Sequence, residues 1–389
     1  MKNITKTFAV IIFGVAVIAI LFGVQSMRNK EVEKELNLPT LTKGLLDEPE
    51  VFEGESYLVP PEQIYDSGTG TEGVPAIDNP KFISVTAADE FLADDLFGID
   101  VEVDGQHRFY SYQILNWHEV VNDEFNGKKI AVTMCAFCRT PIVFEREVDG
   151  QVLEFENAGK IYNNNFLIKD RQTESLWWQL KGLAISGELI ETELNVYPSI
   201  AMKWKDWKKA YPNGEVLSTE TGYVRDYTRH PFGTYDESKM IYFPLNHVEE
   251  ARLQPKWIVQ GLANDNEQIA FADIIMKGVG AANEELGGMN LAALWDFDME
   301  ITRVFKAELG SAVVALNYSF EDDEYTDEET GSVWNAQGYA VSGKRSGAQL
   351  EQIDTIESFW FCWAAGYPQT MVSKVDSSGT LIPNENNEE

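Results

Sequence analysis

The chain is poor in cysteine, in histidine and in positive charge, and each shortage excludes something. Three cysteines among 389 residues cannot staple a disulfide-built scaffold. The four histidines form no His-Glu-x-x-His helix, and His107, His230 and His247 read as ordinary polar residues. Lys and Arg number 31 against 63 Asp and Glu, a formal net charge of −32. Such a surface repels phosphate backbones and anionic headgroups. Nucleic acid is therefore excluded as a partner, and any membrane attachment must be hydrophobic. There is no phosphate loop and no Gly-x-Ser-x-Gly elbow, and Arg139 after Cys138 excludes covalent haem attachment.

Apolar residues make up 44% of the chain and aromatic residues 12%, enough for two packed cores. Thr7 to Met27 runs without a charge, with Lys2 and Lys6 before it and Arg28 after it. At ~1.5 Å per residue this stretch just crosses the hydrocarbon layer. Residues 1–27 are therefore expected to be a transmembrane anchor or signal segment, with the bulk extracytoplasmic, in the periplasm or at the cell surface. No cysteine lies near the segment, which excludes lipoprotein processing. Residues 28–75 are charged, then rich in Pro and Gly, and read as a stalk; residues 373–389 read as a disordered tail.

Between stalk and tail the sequence repeats itself. Asn122–Gly127 recurs as Asn283–Gly288, and Asp170-Arg-Gln-Thr-Glu-Ser-Leu-Trp177 as Asp327-Glu-Glu-Thr-Gly-Ser-Val-Trp334. Gly182–Gly187 recurs as Gly338–Gly343, and Trp204, Trp207 and Tyr211-Pro212 as Trp360, Trp363 and Tyr367-Pro368. Blocks of Trp, Gly and Pro in one order at similar spacing point to a duplication. The expected fold is α+β and strand-dominated: two diverged copies of one module, 76–250 and 251–372, packed as a pseudo-dimer. Val148-Asp-Gly150 between two short apolar runs predicts a hairpin. Trp204 and Trp207 ahead of Tyr-Pro predict a short helix within Ser199–Ala210. His107–Trp117 fits strand or helix.

Four motifs together resemble the prokaryotic domain-of-unknown-function 3179 family. They are Tyr-Gln-Ile-Leu-Asn-Trp-His-Glu-Val-Val-Asn-Asp (112–123), Cys-Ala-Phe-Cys (135–138), Asp170–Trp177 and the Trp-rich helix with Tyr-Pro. The resemblance spans about Gly73 to Pro368. Ala136 stands where the family usually has proline. The resemblance implies a secreted or membrane-attached protein and no particular activity. It groups Cys135, Cys138 and His118 in one site.

Cys135 and Cys138 stand three apart after a strand-like run, a spacing at which two thiolates can hold one metal ion or close a disulfide. Met134 adds a thioether, and His118 an imidazole. Soft sulfur ligands favour copper(I) or zinc. The leading expectation is a metal-binding protein with copper or zinc at Cys135, Cys138 and His118, with Met134 a further ligand. The alternatives are a thiol-disulfide oxidoreductase using the same pair and a binding or scaffold module without chemistry. A structural disulfide or two buried thiols is the plain reading of the pair. In the second copy Cys135 falls opposite Asp296, Cys138 opposite Met299 and His118 opposite Val279, as expected of a lost site. Asn163, Asn164, Asn165, Asp170 and Arg171 are read as a polar rim beside the cysteines; the competing reading of Asp170–Trp177 is a turn launching a strand with a core Trp. Cys362, among Trp360, Phe361 and Trp363, is expected to be a small buried residue.

Overall fold

The computed structural model describes residues 45–375 except 47, 246–249 and 265. The expected anchor or signal segment, residues 28–44 of the stalk and residues 376–389 of the tail lie outside the described residues. Among the described residues no helix is long and apolar enough to cross a membrane.

The fold is strand-dominated α+β. It begins in earnest with the hairpin Phe97–Val103 and Gln106–Ser111, closed by Asp104-Gly105 with positive φ at both positions. This is the paired left-handed turn that suits the twist of two strands. Ile99, Val101 and Val103 alternate inward. The stretch that fitted strand or helix is both: the strand ends at Ser111, and Tyr112–His118 is a helix burying Tyr112, Ile114 and Leu115. A three-stranded antiparallel meander follows: Val120–Phe125, Lys128–Cys135 and Thr140–Glu145, its first turn made by Asn126-Gly127 at φ 47° and 84°. The Asp149-Gly150 hairpin joins Glu147–Val148 to Gln151–Val152 as expected.

Phe155–Tyr162, Asn165–Asp170, Leu176–Trp178 and Leu183–Ser186 then form the centre of a seven-stranded sheet. Ile200–Lys203 returns to pair with Phe97–Val103, the Trp-rich segment Trp204–Ala210 is helical, and Glu215–Leu217 lies parallel to Gln106–Ser111. The same order then recurs. Hairpin Ile258–Ala263 and Gln268–Ala272 leads to helix Asp273–Val279 and the meander Ala281–Leu286, Met289–Asp296 and Ile301–Lys306. A small hairpin and the sheet Leu316–Ser319, Glu324–Asp327, Val333–Trp334, Ala340–Ser342 follow. Ile356–Phe359 returns to Ile258–Ala263, helix Trp360–Gly366 follows, and Met371–Val372 lies parallel to Gln268–Ala272.

The two stretches share apolar cores. Phe359, Phe361, Cys362 and Ala365 pack with Cys135, Phe137 and Trp177 of the first, and Trp360 and Trp363 with Tyr162, Leu167 and Trp178. Each such large side chain contributes roughly 1.5–3 kcal/mol through burial. Phe359 N–H donates to the Cys138 carbonyl at 2.8 Å, and Arg139 pairs with Glu357 at 2.9 Å. Gly366 permits the approach, since a Cβ there would sit 2.5 Å from Leu180 Cδ2. Within the connecting stretch, Phe232, Tyr235, Tyr242 and Phe243 surround the Phe137 ring at centroid distances of 4.5, 5.6, 5.4 and 5.9 Å.

Candidate three-cysteine site

Strand Lys128–Cys135 carries Met134 and Cys135 on opposite faces, because successive side chains alternate. Cys135 faces the core that holds Cys138 and Cys362. Met134 faces the other core, with Tyr112, Val132 and Tyr227, so the structure does not bring it to the cysteines. Strand pairing ends at Cys135–Thr140, and the chain turns through Ala136 to Arg139, the last in the left-handed region at φ 50°.

The sulfurs do not pair as the spacing suggested. Cys138 is joined by a disulfide to Cys362, with Cα atoms 5.6 Å apart, and Cys135 is a free, buried thiol. Cys362 is therefore no mere space-filler: it brings the second half's Trp-rich helix to the cysteine turn. Its sequence gave no hint, because nothing in a lone cysteine names a partner 224 residues away. Cys135 Sγ and Cys138 Sγ lie 4.0 and 3.4 Å from one carbonyl oxygen, that of Asn164, and Cys362 Sγ lies 3.9 Å from the carbonyl of Asn163. All three cysteines are withdrawn from solvent.

The backbone N–H groups of Phe166, Cys138 and Phe137 are directed at Cys135 Sγ. They favour a thiolate, yet burial dominates and, with the charge of Glu119, pushes the thiol up to about 12. Glu119 is fully enclosed, and burial raises its carboxyl to about 8 despite hydrogen bonds from Ala136 N–H and the Asn157 amide. Glu119 caps its helix in the left-handed region at φ 55°, an uncommon place for a residue with a side chain.

His118 is held elsewhere. Its Nδ1–H donates to the Pro75 carbonyl at 2.8 Å, and its Nε2 accepts from the Tyr227 hydroxyl at 2.6 Å. Burial lowers its pKa to about 4, so the ring is neutral, with both nitrogens engaged. The expected polar rim splits in two. Asn163 and Asn164, both at positive φ, make the tight turn of hairpin Phe155–Asp170 that reaches the sulfurs; with Asn165 they are buried, so they floor the site and do not rim it. Asn164 Nδ2 donates to Tyr235 Oη at 3.1 Å, and its Oδ1 accepts from Phe243 N–H at 2.9 Å. Asn165 Nδ2 donates to Gln179 Oε1. Asp170 is absent from the site: it accepts from Thr173 and from the Trp177 indole at 3.0 Å. Arg171 pairs with Asp78 and Glu156.

Sequence reading missed Glu119, Asn157, Tyr235 and Cys362. For Glu119 a signal existed, since the position matching it in the second half is Gly280, also left-handed at φ 75°. Glycine is the ordinary residue there.

The arrangement defines a strand-dominated α+β protein with a buried cysteine centre between its halves. Residues 71–370 match the family described as "Protein of unknown function (DUF3179)", and the chain belongs to that family. No curated protein and no solved structure matches it.

Proposed function

We propose that this is a membrane-tethered, extracytoplasmic protein of two diverged module copies packed as a pseudo-dimer, whose three cysteines, once reduced, bind one soft metal ion, copper(I) or zinc. The observation that carries the reading is the convergence of Cys135, Cys138 and Cys362, from distant segments, on the adjoining carbonyls of Asn163 and Asn164. Three sulfurs make a better soft site than the two sulfurs, imidazole and thioether expected from sequence, because Cys362 replaces ligands that are engaged or face away. Reduction of the Cys138–Cys362 bond by an external dithiol supplies two electrons and two protons and yields two thiols. A soft cation then displaces the thiol protons and reverses the burial effect at Cys135. The uncharged N-terminal run and the acidic surface support the tether and the exported location.

The test is anaerobic titration of reduced full-length protein with copper(I) against a chromogenic chelator, and separately with zinc. One equivalent should bind, Cys135→Ser with Cys138→Ser should abolish it, and Cys362→Ser should weaken it at least tenfold. His118→Ala and Met134→Ala should leave it unchanged. Absence of stoichiometric uptake by reduced, folded protein sinks the proposal.

A second reading, thiol–disulfide exchange, is favoured by the free Cys135 thiol beside a disulfide. Cys135 thiolate would attack Cys138 Sγ, forming a 135–138 bond and releasing Cys362 thiolate, with no net oxidation. Alkylation mapped by mass spectrometry separates the two: exchange labels Cys362 where the present pairing labels Cys135.

A further inference from the structure

The two halves differ in what covers their strand edges. In the first half one stretch of chain, residues 65–84, lies along three edges in turn. Tyr65–Asp66 pairs with Phe155–Tyr162, Ile77 bridges Val121, and Phe82–Ser84 pairs with Glu215–Leu217. At the middle edge Ile77 N–H donates to the Val120 carbonyl at 2.9 Å, and Asn122 N–H donates to the Ile77 carbonyl at 2.8 Å. The matching edges of the second half are Leu316–Ser319, Ala281–Leu286 and Met371–Val372. Each is the last strand of its sheet, and among the described residues no further strand or bridge pairs beyond it. An uncovered edge is a template for an incoming strand.

The middle edge can be compared residue by residue. Asn122 clamps the backbone of Phe155, donating to its carbonyl at 2.8 Å and accepting from its N–H at 2.9 Å. Asn283 clamps Leu316 in the same way, at 2.9 Å for both bonds. The Glu119 carbonyl accepts from Met134 N–H, and the Gly280 carbonyl from Trp295 N–H. Backbone groups alternate along a paired strand, so the Ala281 carbonyl and Asn283 N–H point outward, as those of Val120 and Asn122 do. Asn122 is buried beneath its cover, whereas Asn283 is half-buried. At the head of this edge Tyr318 lies against Gly280. Its ring joins those of Phe297 and Phe320, at centroid distances of 4.9 and 4.8 Å, and Phe297 and Phe320 are 38% and 60% exposed. Scattered surface rings need no explanation, but rings grouped beside an open edge mark an interaction surface.

Charge specifies the occupant. In the first half the residue after Ile77 is Asp78, which accepts from Asn122 Nδ2 at 2.8 Å and pairs with Arg171 at 3.0 Å. Arg171 donates its backbone N–H to the Glu154 carbonyl; in the second half Glu328 donates to the Ala315 carbonyl and stands in that place, exposed. The counterpart of Asp78 must therefore be basic. Glu321, Asp322 and Asp323, exposed beside the rings, add to the demand. A second copy of this chain would bring its Asp78 to Glu328, like charge against like. We propose that a partner protein lays an extended segment along this edge as an added strand, with apolar residues against Phe297, Tyr318 and Phe320 and a lysine or arginine on Glu328. The surface involves none of the three sulfurs, so it stands whether or not the cysteines bind a metal.

Fluorescence anisotropy of labelled synthetic peptides, titrated with the full chain in detergent at low salt, tests it. The probes copy residues 73–84, one unaltered and one carrying Asp78→Lys. The Asp78→Lys peptide should bind saturably and at least tenfold more tightly than the unaltered one. Glu328→Lys in the protein should reverse that preference, and Phe320→Ala should weaken the Asp78→Lys peptide at least threefold, each with the circular dichroism spectrum unchanged. Glu328→Gln, which should erase the preference, serves should the reversal variant fail to fold. No saturable binding, a preference that ignores residue 328, or tighter binding of the unaltered peptide, which would make a second copy the occupant, would each overturn the proposal. So would binding that appears only after residues 376–389 are removed, since the chain's own tail would then be the occupant.

Discussion

Asp170–Trp177 and Asp327–Trp334 build the same object twice. In each, the aspartate accepts from the Thr three residues on and from the Trp indole, at 3.0 Å in the first half and 3.1 Å in the second. The Thr and Ser hydroxyls meet at 2.8 and 2.6 Å. Gly187 and Gly343, both in the left-handed region, crowd the Cα of that Ser, leaving room for no side chain. The cysteine centre is built once. Where the first half has Glu119, Asn157, Cys135 and Cys138, the second has Gly280, Tyr318, Asp296 and Met299. The Tyr318 ring fills the space a side chain at 280 would need, and Asp296 pairs with Arg303 at 3.0 Å. The second half folds with the same strand order and without the centre. The braces serve folding in both halves, whereas the first half's cysteine turn has no counterpart in the second, which contributes only Cys362 to the centre.

The largest effect that can test this division comes from the disulfide. Its ends are separated by 224 residues. Closing so long a loop is worth about 5 kcal/mol on the chain-entropy account, and 2–5 kcal/mol is the usual loss when a native bridge is removed. Cys362→Ser should cost stability in that range by urea unfolding without reductant, and reductant added to wild type should reproduce the loss. Cys135→Ser should cost less than Cys362→Ser, since it removes no disulfide. Equal losses for Cys135→Ser and Cys362→Ser would contradict the pairing.

Much of the frame was readable from residues alone, and the centre was not. The Asp149-Gly150 hairpin, the helix ending before Tyr211-Pro212 and the recurring Asp-Thr-Ser-Trp block depend on local chemistry, which sequence displays. Strand and helix in His107–Trp117 could not be divided by periodicity, because apolar residues crowd both sides of Ser111. Partners at the centre are set by tertiary contacts. Cys138 reaches past its near neighbour to Cys362 because the second half's helix is seated there, and His118 is drawn off by Pro75 and Tyr227. The carbonyls of Asn163 and Asn164 lie beside the sulfurs on a buried turn, while Asp170 belongs to the brace.

A middle-sized effect checks whether the braces are equivalent. Asp170→Ala and Asp327→Ala each leave a buried indole N–H without an acceptor. That costs roughly 1–3 kcal/mol in either half. Urea midpoints measured on both single variants should fall together. A loss confined to Asp170 would mean that this carboxylate serves the first half's site after all, and the division drawn above would fail.

The smallest effect separates the halves by pH. The residue opening the helix after the first hairpin is Tyr112 in one half and Asp273 in the other. Tyr112 is buried and its hydroxyl faces Glu357, which keeps it protonated well past neutrality. Asp273 accepts from Thr302 Oγ1 at 2.7 Å, yet burial raises its pKa from 3.8 to about 7. A carboxyl raised on folding binds its proton more tightly in the folded chain than in the unfolded one. Its contribution is therefore complete below about pH 3.8 and is lost as pH rises through about 7. Part of the residue remains in contact with solvent, which trims the swing to about 1–2 kcal/mol. Asp273→Asn keeps the size of the side chain and removes the titration. The difference in unfolding free energy between pH 5 and pH 8 should shrink by that amount in Asp273→Asn relative to wild type. Tyr112→Phe should leave the difference as it is, since the phenol does not titrate in this window. If both variants keep the wild-type pH profile, the second half holds Asp273 ionised, and its helix start is less enclosed than the geometry indicates.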